Sequence, residues 1–125
     1  MQTSLSKIIE SYFRLYIQIQ LHHWQTRQYA SHIASDSLLE SLSSKMDEFI
    51  ETWSQHSRVR FPSSYFQIQT TSQLSKKTHL YPFLYEFKQD LHSLNFPKKS
   101  RAELQNIRDE LLGIIDHALF RFSLH

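Results

Sequence analysis

The chain has 125 residues, one glycine, no cysteine and a formal charge of +2 from 14 basic and 12 acidic residues. Phosphate-cradling loops, dinucleotide fingerprints and nucleophile elbows need glycine where the backbone turns left-handed. Disulfides, thiolate zinc sites and thiol nucleophiles need cysteine, so all of these are excluded. The basic excess is too small to call for nucleic acid by itself.

The N-terminus runs through Lys7, Glu10 and Arg14 without an apolar block, and no uninterrupted apolar run is long enough to span a bilayer. The expectation is a soluble cytoplasmic protein of one domain, residues 1–125, with no membrane partner. Aromatics make up 14% of the chain, so its core is built from few, large side chains.

A first helix is predicted from about Leu5 to Thr26. Leu5, Ile8, Tyr12, Tyr16, Ile19 and His23 recur at three- and four-residue steps and form its core stripe. Phe13, Ile17, Leu21 and Trp24 widen that stripe beyond the roughly 100° a bundle helix with one wet face needs. A second subunit is the simplest cover for the excess. The second helix spans about Ser31 to Gln55, with Leu39, Leu42, Met46, Phe49, Ile50 and Trp53 inward and Ser37 with Glu40 at capping-box spacing.

Residues 57–80 form a long connection rich in Ser, Thr and Gln, in which Val59/Phe61 and Phe66/Ile68 alternate as a strand would. A third helix fits about Pro82 to Leu94 and is stopped by Asn95 and Pro97. The fourth opens on Ser100 and Glu103, a capping box, and follows Leu104, Ile107, Leu111, Ile114, Ile115, Ala118 and Phe122. Gly113 lies inside it at a cost of roughly 1 kcal/mol against alanine, through either a close backbone approach or plain tolerance. Four helices with a long crossover between the second and third match an up-down-down-up, ferritin-like four-helix bundle.

Imidazole and carboxylate are the one orderly set of chemistry-bearing side chains. His23 and His32 flank the first turn, and Asp47 and Glu51 lie one helical turn apart on a face away from the core stripe. His32 precedes Asp47 by about 22 Å of helix at 1.5 Å per residue, so one chain does not easily bring both to one ion. Two antiparallel copies of this helix do, and the spacing predicts an inter-subunit site or none. No nucleophile–base–orienter set is present, and no catalytic residue is assigned.

The order His23-Trp24, His32, then Asp47-Glu48-x-x-Glu51 resembles the ferroxidase motif of the Dps proteins, the miniature ferritins of starved bacteria. The stretch His-Trp-Gln-Thr-x-x-Tyr-Ala-x-His, from His23 to His32, looks closer to ferritin-like proteins of phages and large DNA viruses. That resemblance covers about 30 residues; the His23–His32 interval is about three residues shorter than in the Dps motif, and no Glu-x-x-His pair is present. It implies a homo-oligomer paired through helices one and two. In it, His23, His32, Asp47 and Glu51 bind iron or another divalent metal between subunits, and Fe(II) is oxidised. A viral source would place the protein in the host cytoplasm or the virion.

Two other classes of function stand beside this one. Arg58, Arg60, Lys76 and Lys77, interleaved with Phe61, Tyr65 and Phe66, give the crossover the basic-aromatic pattern of single-stranded nucleic-acid binders. A metal-free ferritin-like scaffold, serving as an interaction or virion assembly protein, uses the same wide apolar arc of helix one.

Overall fold

The computed structural model describes residues 4–56 and 74–124. Among these residues the fold is all-α, with helices α1 (Leu5–Gln25), α2 (Tyr29–His56), α3 (Tyr81–His92) and α4 (Arg101–Ser123), and a 3-10 turn at Lys77–His79 before α3. The crossover residues Arg58, Arg60, Phe61, Tyr65 and Phe66, and the strand-like alternation around them, lie outside the described residues.

The direction of each helix follows from its cross-contacts. Lys7 near the start of α1 pairs with Glu86 at 3.1 Å and with Asp90 at 3.6 Å, towards the end of α3. His22 near the end of α1 meets Leu74, ahead of α3. Those two helices are therefore antiparallel. Lys45 of α2 reaches Glu110 of α4 at 2.5 Å, while Phe49 and Trp53, further along α2, close on Phe96 just before α4. Lys88 of α3 meets Asp116 of α4 at 2.6 Å, and Arg108 donates to the Leu91 carbonyl at 3.4 Å.

So α1 and α4 run one way and α2 and α3 the other. Each helix lies beside two antiparallel neighbours, and α2 and α3 are parallel, so the end of α2 and the start of α3 lie at opposite ends of the bundle. One apolar core fills the centre, with Phe49, Phe87 and Phe122 almost wholly out of water. Each such side chain contributes about 1.5–3 kcal/mol on burial.

Three local expectations are corrected. The buried line of α1 passes through Ile8, Leu15, Ile19 and His22, and His23 stands half-buried beside it. The tyrosines explain the offset: Tyr12 and Tyr16 pack against the core only in part, because a phenol set wholly inside has to find a partner for its hydroxyl. Ser37 and Glu40 are interior to α2 and cap nothing, since that helix already starts at Tyr29. Ser100 does precede α4, but at φ 64° it is left-handed and its hydroxyl makes no cap hydrogen bond. A capping hydroxyl needs extended backbone to reach back to the helix amides. Arg101 instead ties this entry to the Phe96 carbonyl at 3.1 Å.

Candidate functional site

Chemistry-bearing groups gather at the corner between α1 and α2. The turn is short because Thr26 leaves the helix in extended backbone, with its amide still bonded to the His22 carbonyl at 2.8 Å. Its hydroxyl then accepts from the Gln28 amide at 3.3 Å. That geometry brings the last turn of α1 against the first turn of α2.

His23 and His32 meet there face to face, with ring centroids 3.9 Å apart and planes 19° from parallel. Their backbone bonds are reciprocal. His23 Nδ1 donates to the carbonyl of His32 at 3.0 Å, and His32 Nδ1 donates to the carbonyl of His23, also at 3.0 Å. Ser35 adds its hydroxyl to the His32 carbonyl at 2.9 Å and stands 3.1 Å from His23 Nδ1. A ring nitrogen facing a carbonyl must carry the proton, so the lone pair of each neutral imidazole sits on Nε2. An imidazole anchored through Nδ1 to a backbone carbonyl is oriented as metal-ligating histidines are.

The carboxylates are elsewhere. Asp47 and Glu51 are exposed on one face of α2, and among the described residues neither takes part in an ion pair. Burial, the neighbouring Tyr16 and the negative charge of Asp47 together hold the Tyr12 phenol protonated. Tyr12 and His23 are themselves about 16 Å apart along α1. The structure thus brings His23 and His32 together and leaves Asp47 and Glu51 remote from them. Among the described residues no three His, Cys, Asp or Glu side chains converge to hold an ion. Of the crossover cations, Lys76 is exposed and Lys77 lies in the 3-10 turn.

One residue of this region escaped the sequence reading. His22 is fully buried: Nδ1 donates to the Leu74 carbonyl, Nε2 accepts from Ser31 Oγ at 3.1 Å, and the ring meets Phe122 edge-on at 5.7 Å. Burial pushes its pKa below the usual histidine value, and the Leu74 bond opposes that only in part. His22 is therefore a neutral cross-link between α1, α2, α4 and the end of the crossover. The signal was present in the i, i+3, i+4 series through Ile8, Leu15 and Ile19, which continues to residue 22.

A family of unknown function, DUF5856, matches residues 23–122, and the chain belongs to it. Neither the curated proteins nor the solved structures contain a match. The matched stretch begins at the first histidine of the stacked pair. No described helix is long and apolar enough to cross a membrane.

Proposed function

We propose that this protein is a ferritin-like, Dps-like bundle that pairs through α1 and α2 and holds iron or another divalent metal between subunits. His23 and His32 of one chain supply neutral nitrogen ligands, and Asp47 and Glu51 of a second chain supply charged oxygen ligands. The observation that carries this reading is the stacked pair, in which both Nδ1 atoms are committed to carbonyls, so that the lone pair of each neutral ring is on Nε2. Mixed nitrogen and carboxylate ligation suits Fe, Mn and Zn, and the resemblance to the Dps motif favours iron and its oxidation from Fe(II).

Solution mass and metal titration test the reading together. The wild-type chain is expected to be dimeric or larger and to take up Fe(II) or Co(II). The double variants His23→Ala/His32→Ala and Asp47→Ala/Glu51→Ala each lose that uptake, and mixing the two restores part of it, because a mixed pair keeps one complete site. A monomer whose metal uptake ignores Asp47→Ala would sink the proposal.

A second reading rests on the surface of α1 and the start of α2. Phe13, Trp24, Tyr29 and Ile33 are all exposed large apolar side chains. They suit a metal-free scaffold that binds a protein partner, and pull-down by the wild type but not by Trp24→Ala would favour it.

A further inference from the structure

The acidic residues are unevenly placed. Between Glu10 and Asp36, between Glu51 and Glu86, and beyond Asp116, the sequence contains no Asp or Glu. The described parts of those stretches meet at one end of the molecule: the α1–α2 corner, the turn leading into α3, and the last turns of α4. His22 marks the junction, since it touches both Leu74 and Phe122. Arg27, Lys76, Lys77 and Arg121 supply the charge at this end.

An open cleft lies within it. One wall is Gln25 to Gln28 at the corner, and the other is Ser75 to Thr78. Arg27, Lys76 and Lys77 are its cations, every other lining residue carries a hydroxyl or an amide, and there is no carboxylate in the lining.

The walls are fixed to one another. The Leu74 amide donates to Gln25 Oε1 at 2.7 Å while the Leu74 carbonyl accepts from His22. The second wall is wound into the 3-10 turn by bonds from His79 to Lys76 and from Leu80 to Lys77, at 2.9 and 3.0 Å. A concave site held in place, with positive charge and neutral donors, selects an oxyanion of high charge density, and phosphate fits that description best.

The corner wall is bracketed in sequence by two of the most exposed aromatic side chains, Trp24 at 71% and Tyr29 at 79%. Large rings left this wet offer faces for a second flat ring. We propose that the corner cleft binds the phosphate of a nucleotide, either free or within a single strand, with an exposed aromatic ring beside it available to the base. This site uses none of His23, His32, Asp47 or Glu51 as ligands and stands whether or not the metal reading does.

Trp24 provides the measurement, because the chain has 2 tryptophans and Trp53 is buried. In a Trp53→Phe background, ATP and a short single-stranded oligothymidylate are titrated at low salt and the Trp24 fluorescence is followed. Calorimetry on the wild-type chain gives the same affinities if the Trp53→Phe chain does not fold.

Saturable binding is expected, weakening as salt rises, with affinity reduced at least about tenfold by Arg27→Glu/Lys76→Glu. The pair Lys98→Glu/Lys99→Glu makes the same change in charge at the far end of the molecule and leaves affinity in place. ATP binding as tightly as the strand identifies the free nucleotide; a strand binding much more tightly identifies a polynucleotide. Absence of saturable binding to both probes, or equal losses from the two charge-reversal pairs, overturns the proposal.

Discussion

His22 and Leu74 are joined so that the buried ring of one satisfies the carbonyl of the other, while Gln25 satisfies the amide of that same leucine. Leu74 is itself wholly buried. At Leu74, where the described chain resumes ahead of α3, both backbone polar groups are therefore matched from the last turn of α1. Without those partners, burying Leu74 would leave two desolvated groups, each costing about 1–3 kcal/mol.

Replacing His22 tests the cross-link. His22→Ala removes the partners of the Leu74 carbonyl and of Ser31 and opens space against Phe122, so a loss of about 2–4 kcal/mol is expected. Urea denaturation followed by circular dichroism measures it. A loss below about 0.5 kcal/mol, the range of ordinary surface changes, would show that the bond carries no weight.

Tyr12 gives a prediction in pH. Burial first, then Tyr16 and Asp47, raises its pKa from 10.0 to about 12. A folded pKa above the unfolded one means that this contribution to stability is complete below pH 10.0 and is lost as pH rises towards about 12. Ultraviolet titration of the phenolates is expected to show a late-ionising step, and Tyr12→Phe to remove it. Loss of some other step on that substitution would contradict the assignment.

The carboxylate pair separates stability from ligation. Asp47 and Glu51 are exposed and, among the described residues, outside the ion pairs, so Asp47→Ala/Glu51→Ala is expected to leave the metal-free chain within about 0.5 kcal/mol of wild type. Metal uptake is expected to fall sharply in the same variant. A large loss of stability without metal would give these residues a structural role.

Gly113→Ala is expected to stabilise the protein. A Cβ at Gly113 would meet no atom within 4 Å, so the substitution brings helix propensity worth roughly 0.8–1 kcal/mol with no steric cost. Thermal unfolding reads this as a raised midpoint. A lowered midpoint in the oligomer, with a raised one in a monomer, would instead show that a neighbouring subunit approaches this face.

The helices were legible because their apolar spacing is regular: all four were expected within a few residues of where they lie. The side of α1 was harder to read, because tyrosine scores as apolar in a stripe yet settles at the edge of the core. That half-step error moved His23 inward and hid His22. Ser100 misled for a different reason: composition names the capping residue, but only the backbone angle decides whether its hydroxyl reaches the helix. The separation of His32 from Asp47 was plain from counting along one helix. The stacking of His23 on His32 was not, since it depends on how sharply the Thr26–Gln28 turn folds back.

The clustering of charge at one end has an electrical consequence. Arg27, Lys76, Lys77 and Arg121 make that end cationic, while the remaining described chain holds all 12 acidic side chains against fewer basic ones. Lys98, Lys99 and Arg101 set a second basic cluster at the opposite end, so among the described residues both ends carry cations and most of the acidic side chains lie between them. Two chains that meet end to end therefore repel one another, and added salt weakens that repulsion by screening it.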